Sequence, residues 1–229
     1  MDERRLQAAL QLADGALPIG RFAHSYGLEA WLEANPEAGP EELRELVGVT
    51  LACSVATLDG AAAGLAHEAA ARADLEELGA IDAALRARKL SEPARQASEL
   101  CGGRLAALAA ELDAGDLAEE ARARIAGGDW PGNLAVVEGV VGAGLGLERE
   151  ATVLIAVRGH ALAMLSAAVR LGRLGTARAQ ALLRELAPVI QRSTRNALGI
   201  EREQLRSTLP ELDVHAARHP ARDARLFIT

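Results

Sequence analysis

The chain has 229 residues, with 25 basic against 32 acidic side chains (net charge −7) and only five aromatics beside fifty alanines and thirty-six leucines. Strands favour aromatic and β-branched residues while Ala and Leu favour helix, so the composition argues against a β-sandwich or barrel and for an all-α fold. The acidic balance argues against nucleic acid as the main partner, and the length with half its residues apolar suits one helical domain with a full core.

In chain order, residues 3–13 read as a short amphipathic helix with Leu6, Ala9, Leu10 and Ala13 on one face, broken by Asp14-Gly15. A loop through Leu17-Pro18-Ile19-Gly20 feeds a second helix expected over Ser25–Glu33, with Ser25 as a possible N-cap and Gly27 inside it. Pro40, Glu41 and Glu42 open a third, whose apolar stripe is Leu43, Val47, Leu51, Val55 and Leu58. Asp59-Gly60 predicts an interruption, followed by helices over 61–73 and 75–89 and one capped by Ser91 that runs to Leu112. A short helix near 116–125 and the turn Gly127–Gly132 precede two long apolar helices, 133–145 and 148–171. Thr176 can cap a helix over 177–192, and a further helical stretch is expected to about 206. The tail, Ser207–Thr229, has weak periodicity and is expected to be partly disordered alone. The fold expected is therefore a single-domain bundle of about eight to ten helices over 1–206 with a flexible C-terminal tail, 207–229.

The apolar stretches Leu134–Leu147 and Ala151–Val169 contain Glu138 and Arg158 with His160, and neither reads as a membrane span. No signal-peptide pattern opens the sequence, so a cytoplasmic protein is expected. Cys53 and Cys101 belong to no CxxC pair and read as buried thiols.

Motifs that carry catalysis are missing: there is no G-x-S-x-G elbow, phosphate loop, H-E-x-x-H or E-x-x-H pair. Lys89, the only lysine, sits in a charged stretch and reads as a solvated face. His160 falls on an apolar stripe and reads as a core histidine; His67 reads as surface. His215 and His219 are four apart and would share a helical face, a spacing that could chelate a metal, but Pro220 argues against a stable helix there.

Three of the five aromatics, Phe22, Tyr26 and Trp31, fall within ten residues. The window Leu17-Pro18-Ile19-Gly20-Arg21-Phe22-Ala23-His24-Ser25-Tyr26-Gly27-Leu28-Glu29 combines a proline that fixes φ, glycines that permit positive φ, and aromatics beside a histidine. It reads either as a rigid hinge with an aromatic anchor or as a recognition surface.

This window resembles the signature of the UreF family of urease accessory proteins, L-P-x-G-x-F-x-H-S-x-G-L-E, at Leu17, Pro18, Gly20, Phe22, His24, Ser25, Gly27, Leu28 and Glu29. Val169-Arg170-Leu171-Gly172-Arg173-Leu174-Gly175 with Gln180 is similar to the family's V-R-L-x-P-L-G segment and its downstream Gln. The tail is similar to the family's ending at Pro210, Leu212, Asp213, Arg218, His219, Arg225, Leu226, Phe227 and Thr229. Departures are Arg21 for a small residue, Arg173 for a proline, Ala179 for a glycine, Pro220 for a glutamate, Thr229 for a serine, and Asn133 where a histidine is expected.

Two cysteines and five dispersed histidines give no recognisable closed site, so no permanently held nickel or other cofactor is expected. The resemblance implies an all-α protein that is not an enzyme. It implies a bridge between UreD (UreH) and the GTPase UreG, as a homodimer within the complex, supporting GTP-dependent nickel insertion into apo-urease. Nickel and GTP are then handled by the wider complex, with no nucleic acid or membrane involved. The partner-facing residues it implies are Phe22, His24, Ser25, Tyr26 and Glu29 in the window and Arg218, His219, Arg225, Leu226 and Phe227 in the tail; Pro18, Gly20, Gly27, Leu28 and Gly175 carry the structural motif. Without the resemblance, an unrelated helical adaptor or a small helical enzyme would share the composition.

Overall fold

A computed structural model describes residues 2–218 and Phe227; His219, Pro220, Arg225, Leu226 and Thr229 lie outside the described residues. Among the described residues there is no strand. The helices are α1 (Glu3–Leu12), α2 (Leu28–Ala34), α3 (Pro40–Thr50), α4 (Ala61–Ala71), α5 (Leu75–Arg88), α6 (Glu92–Leu108), α7 (Asp116–Gly127), α8 (Leu134–Gly144), α9 (Arg149–Arg170), α10 (Thr176–Glu185), α11 (Ala187–Ala197) and α12 (Pro210–Arg218). Short 3₁₀ turns occupy Arg21–Ala23 and Arg202–Gln204, and a π-helical stretch occupies Leu51–Gly60.

The 22 residues of α9 organise the molecule. At about 1.5 Å per residue they span roughly 33 Å, the diameter of a small domain. Ile155 and Ala156 face one apolar cluster, built with residues of α4, α5, α6, α7 and α8. Val153, Val157, Ala161, Met164 and Leu165 face a second, built with α2, α3, the π-helical stretch, α10 and α11. Alanine and glycine permit the close approach between α4 and α8. A Cβ added to Gly139 would lie 2.6 Å from the Ala63 carbonyl oxygen and 2.7 Å from the Ala66 Cβ, so only a bare backbone fits there.

The helix boundaries depart from the sequence expectations for identifiable reasons. Asp59-Gly60 does not break the chain, because Gly60 keeps right-handed helical dihedrals (φ −61°). Its missing Cβ admits Val157 and Ala197, which would stand 3.1 Å and 3.3 Å from one. The result is one continuous helical rod, Pro40–Ala71. The second helix starts at Leu28 rather than Ser25, because Tyr26 and Gly27 both adopt positive φ (55° and 83°). Gly27 is therefore a left-handed N-cap, a role open to glycine without a steric penalty, and not a helix-interior glycine. The helix expected over 177–192 is split at Leu186, where Pro188 in the first turn of α11 removes an amide donor. Gly175, not Thr176, is the N-cap of α10. Residues 198–206, expected helical, hold only the 3₁₀ turn.

Two side chains that read as solvated in the sequence are inside. His67 is 9% exposed, with Nε2 2.8 Å from the Leu147 carbonyl oxygen. Lys89 is 8% exposed, and its Nζ donates to Asp59 Oδ1 at 2.6 Å. Trp130 is buried against the backbone of α5 at Gly79, where a Cβ would come within 2.8 Å of its Nε1, and the Arg124 guanidinium lies 5.9 Å from its ring. The rod Pro40–Ala71 and α9 are long and apolar enough by length and composition to cross a membrane, but 67% of each apolar window is buried inside the bundle, as core helices require. Within the tail, 210–218 is helical and packs on α2, with Leu212 and Phe227 buried in the second cluster.

Candidate functional site

The N-terminal window is a loop stiffened by local bonds. Asp14 Oδ1 accepts from the Ala16 amide at 2.9 Å, closing the turn after α1. Gly20 then takes φ 81°, with the Arg104 side chain packed where a Cβ would stand. These glycines aim the loop so that its side chains diverge. Phe22 points outward and is 58% exposed, whereas His24, Ser25 and Glu29 are 1%, 0% and 6% exposed. As placed, those three present almost no side-chain surface to solvent. Leu28, fully buried, anchors α2, and Pro18 is exposed at the turn.

Tyr26 points inward. Its ring lies 4.5 Å from that of His160 and 6.4 Å from that of His24. Tyr26 and His160 form part of the wall of a cleft, partly open to solvent, which also takes in Asp59, Lys89, Arg21, Glu138 and Asp213. Positive φ at a tyrosine is a strained choice.

The cleft holds two ion pairs. Lys89 meets Asp59, and the Arg21 guanidinium donates to Glu138. Glu138 sits in the apolar helix α8 and is 6% exposed. Isolated there, a carboxylate would be costly. Arg21 supplies the counter-charge, and Gly159 of α9, lacking a Cβ, leaves room for its guanidinium. Burial pushes the Glu138 carboxyl up from its usual range, against the pull of Arg21. Burial also raises Asp213, opposed by Lys89. The His160 imidazole is pushed down to about 4 by burial, with Asp59 opposing, and His24 to about 4 by burial and by Arg104. Burial raises the Tyr26 phenol. At neutral pH the cleft therefore presents neutral rings and neutralised charge pairs, an arrangement suited to shape and hydrogen bonding more than to proton transfer. Among the described residues no group of three or more His, Cys, Asp or Glu is placed to hold a metal ion.

A second junction lies on the far side of the window. Arg170, at the C-terminus of α9, donates to the Phe22 carbonyl oxygen. Its guanidinium carbon lies 5.9 Å from the Phe22 ring centroid and 4.2 Å from that of Phe227. The structure thus brings the N-terminal window, the Val169–Gly175 segment and the tail to one place. Arg173 extends the junction by donating to the carbonyls of Asn35, Pro36 and Ala38. Arg218 ends α12.

Sequence reasoning missed Arg170 as a joint and missed both ion pairs. A signal for one pair was present: Glu138 in an apolar run needs a cation, and Arg21 is the unusual residue in the window. Lys89 and Asp59 are thirty residues apart and gave no such signal. Asn133 is fully buried, and its amide groups donate to Asp82, which ties the loop after Trp130 to α5.

Comparison with known proteins identifies the family. The profile of the UreF family matches residues 38–187, which excludes the N-terminal window, but curated relatives extend over nearly the whole chain. The urease accessory protein UreF of Bacillus sp. (strain TB-90) is 26% identical over 225 residues, 98% of this chain and 99% of that protein. The urease accessory protein UreF 2 of Brucella canis is 32% identical over 219 residues, 96% of this chain and 90% of its own length. The urease accessory protein UreF of Yersinia enterocolitica is 30% identical over 227 residues, 99% of both chains. With two thirds of its length matched by the family profile and relatives aligned almost end to end, the chain belongs to the UreF family of urease accessory proteins.

Proposed function

We propose that this chain is the non-catalytic bridge of a urease maturation complex, holding UreD (UreH) on one side and the GTPase UreG on the other while nickel, the cargo, is delivered to apo-urease with hydrolysis of GTP. The observation that carries this reading is similarity to proteins named urease accessory protein UreF along 96–99% of the chain. A bridge needs surface anchors on a rigid body. Phe22, exposed and clamped through its backbone by Arg170 next to Phe227, has the character of one. The tail beyond 206 is the segment we assign to UreD, and the window around Phe22 and Tyr26 to a partner or dimer face. The chain acts in the cytoplasm, as a homodimer within the complex, and keeps no nickel or nucleotide of its own.

Reconstitution tests this. Apo-urease, UreD, UreG, nickel and GTP are combined with and without this protein, and urease activity is followed. Activation that depends on the protein is the expected result; equal activation in its absence would remove the proposal.

A further inference from the structure

A π-helical run is rare and occurs mostly as a single turn, often at functional positions. Here it extends over Leu51–Gly60, ten residues, inside an otherwise α-helical rod. Such a run needs support from outside the helix, and the chain supplies it. The Arg206 amide donates to the Thr57 carbonyl at 3.0 Å, and the Thr208 amide to the Cys53 carbonyl at 2.9 Å. Thr57 Oγ1 donates back to the Arg206 carbonyl at 2.7 Å, and Thr208 Oγ1 to the Cys53 carbonyl at 2.8 Å. Ser207 Oγ meets Ser54 Oγ at 3.0 Å.

Backbone geometry accounts for this pairing. Amides two residues apart on an extended strand point the same way and lie roughly 6.6 Å apart. Carbonyls about one helical turn apart share a face, and those of Cys53 and Thr57 meet the two amides here. Residues 206–208 therefore lie along the helix as a strap, taking up carbonyls that an α-helix would use internally. The strap runs directly into α12, which is fixed at its start by Trp31 Nε1 donating to Glu211 Oε1 at 3.0 Å and by buried Leu212. Both partners of the strap also line the cleft: Ser54, Leu58 and Asp59 from the π-helical stretch, and Ser207, Leu212 and Asp213 from the strap and α12.

We propose that residues 206–208 and the π-helical stretch form a latch that couples the position of the tail to the shape of the cleft. With the strap seated, the stretch keeps its π register and Asp59 faces Lys89. When the strap leaves, the carbonyls of Cys53 and Thr57 lose their external donors and the stretch winds back toward α register. The rewinding is confined to 51–60, since α4 is held by its packing on α8, and it re-aims Leu58 and Asp59, which takes Asp59 off Lys89 and rebuilds the cleft wall.

Lys89 is the only lysine, so amine acetylation followed by peptide mass spectrometry reads the pair directly in the full-length protein. Thr57→Val with Thr208→Val removes both hydroxyl bonds at nearly constant shape, and Thr208→Pro removes the amide donor as well. Asp59→Asn sets the rate for a broken pair, expected to be roughly tenfold faster than wild type, the scale of one charge-assisted hydrogen bond. Hydrogen exchange over 51–61 is followed in parallel, with α8 as the fold control. The latch predicts that both strap variants raise Lys89 acetylation toward the Asp59→Asn rate and raise exchange over 51–61, while α8 stays protected. Faster exchange in 206–208 with Lys89 and 51–61 unchanged would overturn it, as would no change anywhere. Should Thr208→Pro lose α8 protection, the double valine variant alone decides between these outcomes.

Discussion

The guanidinium of Arg170 stacks over the ring of Phe227 at 4.2 Å. Arg170 ends the central helix, and the same guanidinium donates to the carbonyl of Phe22. One side chain therefore holds together three segments that are 57 to 205 positions apart in sequence. Guanidinium suits this because its planar fork can donate to a carbonyl while its face meets a ring. Arg170→Ala should cost about 1–2 kcal/mol in urea unfolding and speed protease cleavage of the tail. Arg170→Lys should recover less than half of that, since an ammonium cannot stack and donate together.

Phe22 separates surface from scaffold. It is exposed, so Phe22→Ala should change stability by less than about 0.5 kcal/mol while lowering capture of partners and urease activation. His24→Ala, at a buried position, should lower activation only in step with melting temperature. Equal behaviour of the two variants, in thermal melts and pull-downs, would remove the distinction.

The Lys89–Asp59 pair is nearly buried, so removing one partner strands the other. Lys89→Met and Asp59→Ala should each cost about 2 kcal/mol, and the double variant at least about 1 kcal/mol less than their sum. Urea unfolding of all four proteins gives the coupling.

Glycines differ by what faces them. Gly139→Ala would drive a methyl into the Ala63 carbonyl and the Ala66 Cβ, and should cost about 2–4 kcal/mol by pushing α4 from α8. Gly103, within α6, has nothing within 4 Å of an added Cβ. Gly103→Ala should be stabilising by up to about 1 kcal/mol through helix propensity. Thermal melts of the two variants check the sign.

Acid should weaken the fold. His24 and His160 are held near 4 against an ordinary 6.5, so between these values the unfolded chain binds more protons and stability is lost as pH is lowered. Glu138, Asp82 and Asp213, raised by burial, act in the opposite sense, binding protons more readily folded than unfolded as pH falls through their raised values. The histidine loss therefore shows most clearly above the carboxylate range. From pH 7.5 to 5.5 the two imidazoles should account for about 3 kcal/mol. The variant His24→Gln with His160→Gln should flatten that slope in urea titrations.

The sequence by itself determined the fold class, because fifty alanines and thirty-six leucines with five aromatics leave helices as the most direct way to bury half the chain. It also marked the two segments that meet at Arg170, since rings kept in so alanine-rich a chain stand where alanine would not serve. Boundaries governed by local chemistry, such as the Ser91 cap and the Pro40 start, were legible for the same reason. Tertiary structure alone decided the rest. Asp59-Gly60 looks like a break, yet packing against Val157 and Ala197 keeps it helical. Lys89 looks solvated until Asp59 arrives from another helix, and His67 looks exposed until the Leu147 carbonyl meets it. The carbonyls of Thr57 and Cys53, in the π-helical stretch, meet the amides of Arg206 and Thr208, 149 and 155 residues further on. Propensity and periodicity act within a turn or two of helix, whereas burial and ion pairing here are set by groups that only the folded chain brings within reach.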